Sequence, residues 1–248
     1  MMAQCSSIRS AGGKYMTIEN RCSSTKMQVR LVTTGKTVTE KSTLCPSMTD
    51  NDGNTYKTIL LGEQCWTAEN LRTTKSRNGS DIPLGNETNS STPYRYCPDG
   101  SSGNVGTYGY LYNWPAALTV CPSGWHLPSD AEWTQLENYV RSQSEYCCSS
   151  NTSYIAKALA STTGWGSSSD NCDVGNRQST NNATGFSAVP AGYYYGSCNY
   201  FGNNANFWSA TELSSSYAYR RYLHYHNANV YRDSYGKNLG VSVRCLRN

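Results

Sequence analysis

The segment Cys121-Pro-Ser-Gly-Trp-His-Leu-Pro-Ser-Asp-Ala-Glu-Trp133 ends in a well-marked start of a helix. Ser129 and Glu132 have the spacing of a capping box, in which each side chain accepts a hydrogen bond from the backbone N–H of the other residue. The apolar residues that come next share one helical face: Trp133, Leu136 and Val140. The segment therefore predicts a helix that begins near residue 130 and packs one face into a core.

Shorter elements are predicted on both sides of this helix. A second helix is expected over residues 154–160, where Ile155 and Leu159 share one face. A hairpin turn at residues 50–54 is expected to precede a strand at residues 55–61. These elements place helices among short strands.

The C-terminal segment 241–246 alternates between two sets of residues, Val241, Val243 and Cys245 in one and Ser242, Arg244 and Leu246 in the other. This alternation predicts a final strand with one buried face. Because two helices are embedded among short antiparallel strands, the expected fold class is α+β.

Two other regions carry weaker signals. Residues 73–106 are rich in Gly, Ser, Asn and Pro, and predict a long surface loop that is functional or fixed by a contact such as a disulfide of Cys97. Residues 27–32 and 36–39 are strand-like and are joined by Thr34-Gly35. A lone hairpin is marginal in water. We therefore expect residues 1–47 to be a β-rich arm that pairs with the main domain, a neighbouring subunit or a larger assembly.

Composition excludes several classes of protein. Charged residues make up 15% of the 248 residues, and the net charge of +4 is diffuse, without a Lys/Arg run that would indicate a nucleic-acid partner. No apolar stretch approaches the roughly 18 residues of a membrane span. The first residues lack the apolar region of a secretory signal. We expect either removal of a leader or export by another route, such as a virion released by lysis.

Cysteine usage favours an oxidising, extracellular setting. The chain has 11 cysteines, an odd number, and its only adjacent pair is Cys147-Cys148. No C-x-x-C occurs, so disulfides are expected in place of zinc ligands, with buried free thiols as the alternative.

Residues 50–54 resemble the head of a calcium loop, but Gly53 lies too early and the distal Glu is missing. We predict no metal site and no cofactor.

Residues 193–235 hold half of the chain's 20 tyrosines, mixed with Asn, Ser, His and Arg. Tyrosine provides a large, rigid contact surface at low entropic cost, and Ser and Asn provide adaptable hydrogen bonds. The composition is typical of a binding face. A tyrosine-rich polar strand without a ligand is the alternative.

The polar and aromatic positions of this segment share a second property. Each of these residue types can be reached from an Asn codon by changing only its adenines, and Lys, Gln, Glu, Met and Trp do not occur among them. We predict diversification at adenines and a variable ligand-binding face formed by the following residues: Tyr194, Tyr195, Ser197, Asn199, Tyr200, Asn203, Asn204, Asn206, Tyr217, Tyr219, Arg220, Arg221, Tyr222, His224, Tyr225, His226, Asn227, Asn229, Tyr231, Arg232, Asp233, Ser234 and Tyr235.

Framework motifs separate these positions and occur along the chain in a recognisable order. They are Ile59-Leu-Leu-Gly-Glu-Gln-Cys-Trp-Thr-Ala-Glu-Asn-Leu71, Gly109-Tyr-Leu-Tyr-Asn-Trp114, the segment 121–133, Thr184-Gly-Phe-Ser-Ala-Val-Pro-Ala-Gly192, Phe207-Trp-Ser-Ala-Thr-Glu212 and Val241-Ser-Val-Arg-Cys-Leu246. Together they resemble the Fibrobacter succinogenes major paralogous domain over about residues 48–248.

The resemblance implies a C-type-lectin-like fold, in the branch that contains formylglycine-generating enzymes. Members with the adenine-linked pattern are similar to variable proteins of diversity-generating retroelements in gut bacteria and their phages, whose altered residues form an exposed ligand-binding face. It also implies a disulfide between Cys121 and Cys245, worth about 4–5 kcal/mol in the chain-entropy model. The six cysteines at positions 65, 97, 147, 148, 172 and 198 depart from the family pattern.

The leading functional hypothesis is a hypervariable receptor-binding protein or adhesin. The alternatives are a fixed structural protein of a virion or cell surface, and an oxidase of the formylglycine-generating type that would need a reactive thiol pair such as Cys147-Cys148. We expect no enzyme activity: catalytic motifs are missing, His126 lies in the framework, and His224 and His226 lie among the variable positions. Calcium-dependent sugar binding is not supported, because the usual Glu-Pro-Asn and Gln-Pro-Asp motifs do not occur.

The expected partner is a protein or glycan receptor on a target cell surface. We expect a homo-oligomer or a virion or surface assembly, because symmetric assemblies add avidity to weak contacts. The predicted location is extracellular, on a phage tail in preference to a bacterial surface, with residues 1–47 as the attachment or oligomerisation arm.

Overall fold

In a computed structural model of the protein, residues 6–11, 15–20, 26–30, 45–86 and 88–248 are described. The chain divides into two compact units, Met1–Thr43 and Leu44–Asn248. The first unit contains a three-stranded antiparallel sheet in chain order, formed by β1 (Ser6–Ala11), β2 (Tyr15–Asn20) and β3 (Lys26–Arg30). The Thr34-Gly35 turn and the strand expected at residues 36–39 lie outside the described residues.

The described residues of the second unit form short strands, four α-helices and several short 3-10 helices. Its strands are β4 (Met48–Thr49), β5 (Thr55–Tyr56), β6 (Thr58–Leu61), β7 (Gln64–Thr67), β8 (Arg95–Tyr96), β9 (Leu111–Tyr112), β10 (Trp125–His126), β11 (Tyr193–Tyr194), β12 (Cys198–Asn199), β13 (Asn204–Glu212), β14 (Tyr217–His224), β15 (Tyr231–Gly236) and β16 (Leu246–Arg247). Its helices are α1 (Val105–Tyr108), α2 (Trp114–Val120), α3 (Asp130–Ser142) and α4 (Ala156–Leu159). The pairing of the strands is antiparallel, and the α+β class is confirmed.

Helix α3 forms as the capping box predicts. The hydroxyl of Ser129 accepts from the backbone of Glu132, and the Glu132 carboxylate accepts from the backbone of Ser129 at 2.7 Å. Trp133 is buried and lies 4.6 Å, ring to ring, from Trp66 of β7. The helix thereby joins the four-stranded sheet β10-β16-β7-β6 to the main core.

The second predicted helix is a single turn. Only Ala156–Leu159 is helical, although Ile155 and Leu159 are buried as expected. The strand expected at residues 55–61 is also divided, because β5 pairs with β4 and β6 pairs with β7.

The expected hairpin turn at residues 50–54 is present between β4 and β5. The carboxylate of Asp50 is buried and accepts hydrogen bonds from the backbone N–H groups of Asp52 and Asn54, both at 2.9 Å. The hydroxyl of Tyr56 donates to the same carboxylate at 2.5 Å. Asp50 therefore closes the turn with its own side chain, as Asp commonly does.

The loop at residues 73–106 is fixed by strand pairing rather than by a disulfide of Cys97, which is a free thiol. Strand β8 pairs with β9, and the side chain of Asn113 accepts from the backbone of Tyr94 at 2.9 Å. Asn113 also caps α2 through the backbone of Ala116. One residue thus holds both the loop and the helix.

The expectation of one buried face at residues 241–246 is wrong, since all six residues are buried. Arg244 is fully buried, and its guanidinium donates to Asn70 and to three backbone carbonyls at 2.7–2.8 Å. Ser242 accepts from Asn70 at 3.1 Å. Internal partners replace water at these polar positions, so alternation in sequence does not produce an exposed face.

The described residues form three disulfides: Cys45–Cys65, Cys121–Cys245 and Cys148–Cys172. The second is the pair that the family resemblance implies. Disulfides of this kind are compatible with an extracellular protein. In the part of the chain that the structure describes, no helix is long and apolar enough to cross a membrane.

Candidate ligand-binding face

Strands β13, β14 and β15 form one antiparallel sheet that carries most of the predicted site. Side chains alternate along β14, so its residues divide between two faces. We call the side with Arg220, Tyr222, Tyr231 and Tyr235 the tyrosine face. The register places Tyr222 beside Tyr231, and Ala218 beside Tyr235.

The opposite side carries Tyr219, Arg221, Leu223, Arg232 and Ser234, and we call it the α3 face. Leu223 belongs to the main core, and Arg221 and Arg232 both contact Asp130 of α3. The register pairs Arg221 with Arg232 and Tyr219 with Ser234. This face holds the sheet against the rest of the protein.

Aromatic rings on the tyrosine face form two packed groups, which the guanidinium of Arg220 joins. The rings of Tyr222 and Tyr231 are stacked at 4.8 Å. The ring of Tyr193, from the β11–β12 hairpin, lies edge-on to Tyr235 at 5.3 Å and stacks on Tyr200 at 5.8 Å. Packed aromatic pairs of this kind favour fixed ring positions. The face therefore presents a pre-arranged aromatic surface.

Arg220 lies underneath these rings. Its guanidinium is 3.3 Å from the ring centre of Tyr235 and 4.3 Å from that of Tyr222. It also donates to Asn206, and to Asp233 at 3.2 Å. Burial raises the pKa of Tyr235 to about 12, although the charge of Arg220 opposes this shift. Arg220 is 4% exposed, so it supports the rings from below.

A histidine cluster extends the face at the end of β14. The rings of His224 and His226 are 3.9 Å apart, and Tyr225 lies 4.8 Å from each. Burial lowers the pKa of His224, the charge of His226 lowers it further, and Asp173 opposes both effects. Tyr200 connects this cluster to the tyrosines at 6.5 Å.

The β11–β12 hairpin projects beside the sheet. Tyr194 stacks on Tyr96 at 4.0 Å, which attaches the hairpin to β8. Tyr195 and Tyr200 are 58% and 52% exposed, and Ser197 is also exposed. The hairpin therefore adds exposed rings to the border of the tyrosine face.

On the α3 face, Arg221 is bound by two acidic residues of α3. Its side chain is 1% exposed and donates to Glu137 at 2.5 Å, to Asp130 at 2.6 Å and to Thr134 at 3.1 Å. Burial opposes ionisation of Asp130, but hydrogen bonds from Arg232 and Arg221 outweigh it and lower the pKa. These contacts give Arg221 a structural role.

Residues 59–247 match the family described as the Fibrobacter succinogenes major domain. The match spans more than half of the 248-residue chain. The chain belongs to this family. The family that the framework motifs indicated is thereby confirmed. No curated protein and no solved structure matches the chain.

Within this Fibrobacter succinogenes major domain, the predicted site residues differ in exposure. Those that are exposed are Tyr195, Ser197, Tyr200, Tyr217, His226, Arg232 and Asp233. Those that are half-buried are Tyr194, Asn199, Asn203, Tyr219, Tyr222, His224, Tyr225, Asn227, Asn229, Tyr231, Ser234 and Tyr235. Those that are buried are Asn204, Asn206, Arg220 and Arg221.

Two corrections to the predicted face follow. The four buried residues are not placed where a ligand could contact them directly, because they are packed inside the protein and hydrogen bonds hold the side chains of Asn206, Arg220 and Arg221. The predicted residues also do not share one surface, since five of them lie on the α3 face: Tyr217, Tyr219, Arg221, Arg232 and Ser234. Because side chains alternate along a strand, the sequence of β14 could have indicated that Arg221 and its neighbour Arg220 lie on opposite sides.

Sequence reasoning missed Tyr193 and Tyr96. Tyr193 connects Tyr200 to Tyr235, and Tyr96 supports Tyr194 from outside the predicted segment. Tyr193 could have been included, because it begins the same run of tyrosines and has an equally compatible codon. Tyr96 carries no local signal, because its role depends on the packing of β8 against a distant hairpin.

The residues considered for chemistry have structural partners. Cys148 is bonded to Cys172, so Cys147 and Cys148 are not a free thiol pair. His126 contacts Glu132 at 2.9 Å and Asn248 at 2.6 Å. Among the described residues, no group of three His, Cys, Asp or Glu side chains could hold a metal ion.

Proposed function

We propose that this member of the Fibrobacter succinogenes major domain family is a binding protein whose tyrosine face contacts a protein or glycan receptor on a target cell. The observation that carries the proposal is a set of packed tyrosine rings around Arg220, which are Tyr193, Tyr200, Tyr222, Tyr231 and Tyr235. Four of these five residues belong to the set that we predict to vary, and Tyr193 is the exception.

The physical argument is pre-organisation. Tyrosine rings that are already stacked lose little conformational freedom when a ligand binds, so more of the contact energy appears as affinity. Each ring also keeps a hydroxyl for a hydrogen bond, which suits sugar hydroxyls and peptide groups alike. Aromatic anchors carry much of the energy of such interfaces.

A second argument is that the two sides of the sheet have different roles: the α3 face holds the sheet to the core, and the tyrosine face is available to a ligand. Leu223 and Arg221 hold β14 to the core and to α3, while Tyr222 and His224 point to the other side. Substitutions at the exposed positions of this side, such as Tyr200 and Asp233, usually change stability by less than about 0.5 kcal/mol. The sheet therefore suits a surface that changes while the fold is retained.

The finer parts of the proposal extend the family resemblance. The proposed fold is C-type-lectin-like, and the proposed role is that of a variable protein of a diversity-generating retroelement. We propose an extracellular location on a phage tail, with a bacterial surface as the alternative. Residues 1–47 are the proposed attachment or oligomerisation arm, and a homo-oligomer would add avidity.

The decisive experiment is to sequence this locus in many sibling isolates. We expect codon changes at adenines of residues on the tyrosine face and the β11–β12 hairpin, with an unchanged template copy and a reverse transcriptase nearby. We expect Arg221 to stay constant, because its loss leaves the buried carboxylate of Glu137 without the partner that binds it at 2.5 Å. A uniform locus without a template would refute diversification and favour a fixed structural or adhesive protein.

Binding itself is tested with labelled full chain on a glycan array and on intact bacterial cells. Tyr222→Ala should abolish the signal on whichever surface binds the parent protein. Tyr217→Ala is the matched control, because Tyr217 lies on the same strand with opposite side-chain direction. Equal loss in both variants, or loss in neither, would contradict a ligand on the tyrosine face.

A further inference from the structure

Two free thiols meet where the β11–β12 hairpin contacts the loop after β8. Cys97 and Cys198 are both half-buried and unbonded. The Sγ of Cys198 is 3.4 Å from the backbone oxygen of Cys97, although the two residues are 101 positions apart. Next to them, Tyr96 and Tyr194 are stacked, with ring planes 12° apart. The two cysteines therefore extend an ordered contact between the segments.

The loop around Cys97 is shaped to receive the second sulfur. A tight turn follows Cys97, because the N–H of Gly100 donates to its carbonyl oxygen at 3.1 Å. Burial raises the pKa of the Cys198 thiol, and backbone hydrogen bonds from Gly100 and Asp99 oppose this shift. Cys198 thus lies over the turn that begins at Cys97, and both thiols retain solvent access.

We propose that Cys97 and Cys198 are an oxidation site and form a further disulfide that fixes the β11–β12 hairpin to the body of the protein. The oxidant is a disulfide compound, either oxidised glutathione or the disulfide of an oxidoreductase. The thiolate of Cys198 attacks this disulfide, forms a mixed disulfide and releases one thiol. The thiolate of Cys97 then attacks the Cys198 sulfur and releases the second thiol. Two electrons and the two cysteine protons end on the two released thiols.

The bond would act on residues that the hairpin displays. Tyr195 and Ser197 lie at the tip of the hairpin, and Asn199 and Tyr200 follow Cys198 directly. Closing a loop of about 100 residues restricts the unfolded chain and also removes local opening of the hairpin. Pre-ordered loops bind with a smaller entropic loss. This last consequence rests on the proposed function, whereas formation of the bond does not.

The test is disulfide mapping of the full chain. The protein is incubated with oxidised glutathione, alkylated with iodoacetamide without reduction, digested and analysed by mass spectrometry. We expect peptides containing Cys97 and Cys198 to be linked, and Cys147 to be alkylated. The proposal would be overturned if Cys97 and Cys198 were both alkylated or both bound to glutathione. It would also be overturned if either one were linked to another cysteine.

Two variants control for exchange. Cys147→Ser should keep the link, because Cys147 caps the C-terminal end of α3 through the carbonyl oxygens of Arg141 and Gln143. Cys97→Ser should leave Cys198 open to alkylation or glutathione, with the Cys121–Cys245 link unchanged. A link that disappears with Cys147→Ser would show that it arises by exchange with a neighbouring disulfide, and would also overturn the proposal.

Hydrogen exchange separates the bond from its effect. Oxidation should slow amide exchange across residues 193–199 and raise Tm by about 5 °C or more. Unchanged exchange in a protein with the mapped link would refute the fixing of the hairpin. The protein could form the mapped link and show slow exchange but bind neither the glycan array nor the bacterial cells. That result would leave this inference intact and refute only the proposed function.

Discussion

Replacement of Arg221 by Ala tests how the binding sheet is anchored. The substitution removes the partner of Glu137, whose side chain is 9% exposed and whose remaining ion-pair partner is Arg141 at 2.8 Å. It also removes one of two arginines that bind Asp130. Loss of one partner from a buried ion pair costs about 3–5 kcal/mol. For a domain of this size, that loss lowers Tm by roughly 10 °C.

The assay is guanidinium unfolding together with a thermal scan at pH 7. We expect a lower midpoint with an unchanged slope, since the surface exposed on unfolding stays the same. Arg232→Ala is the matched control, because Arg232 binds the same Asp130 carboxylate with a side chain that is 48% exposed. Exposed pairs contribute about 1 kcal/mol or less.

A double variant isolates the pair. If Arg221→Leu is combined with Glu137→Leu, stability should recover relative to Arg221→Leu alone, because no charge is then left buried without its partner. Equal effects of Arg221→Ala and Arg232→Ala, both within about 1 kcal/mol, would refute the anchoring role. Arg221 would then be free to vary like its neighbours.

Three further outcomes can be measured on the same material. Tyr200→Ala should change Tm by less than about 2 °C, because Tyr200 is 52% exposed, whereas Tyr235→Ala should lower it by several degrees, because its ring covers a buried guanidinium. Because the pKa of His224 is lowered, the folded protein binds a proton at this residue less readily than the unfolded chain does. Stability should therefore fall as the pH drops below about 6.5. His224→Asn should reduce this fall when the midpoint of chemical unfolding is measured at a series of pH values. Replacing Cys121 and Cys245 together by Ala should cost about 4–5 kcal/mol in chemical unfolding, and an effect below about 1 kcal/mol would contradict the chain-entropy argument.

Local signals in the sequence predicted local structure well. The capping box at Ser129 defined the start of α3, and the turn at Asp50 formed as expected. Helix α2 was missed, although Asn113 followed by Trp114-Pro115 is a cap with proline in the first turn and could have indicated it. These features depend on a few neighbouring residues, which is why sequence alone can identify them.

Features that depend on distant contacts could not be predicted in the same way. The alternation at residues 241–246 predicted that one of its two sets of residues is exposed, whereas Arg244 is surrounded by carbonyl oxygens from two other segments. The Cys45–Cys65 and Cys148–Cys172 pairs depend on how separate loops meet, and spacing does not determine such connectivity.

The candidate face was predicted by composition, and its geometry was not. The residue types identified the segment, and alternation along a strand places the adjacent Arg220 and Arg221 on opposite sides of the sheet. Only the contacts across the fold show that the side of Arg221 meets α3. Burial of both arginines follows from acidic, amide and aromatic partners that lie elsewhere in the sequence. Site prediction here needed pairing information that a single sequence does not contain.

The residues that follow the tyrosine-rich segment are part of the core, so the core forms only when the segment is translated in frame. Val241 forms a β-bridge with Tyr112, and Ser242 forms one with Phe207. Leu246 lies between β7 and β10 in the four-stranded sheet. Residues translated after the tyrosine-rich segment therefore complete three separate parts of the core. A stop codon or frameshift within residues 193–235 removes all of these contacts together with Cys245. We expect chains with such errors to be degraded because they lack these contacts, whereas in-frame substitutions at the exposed positions of the tyrosine face retain them.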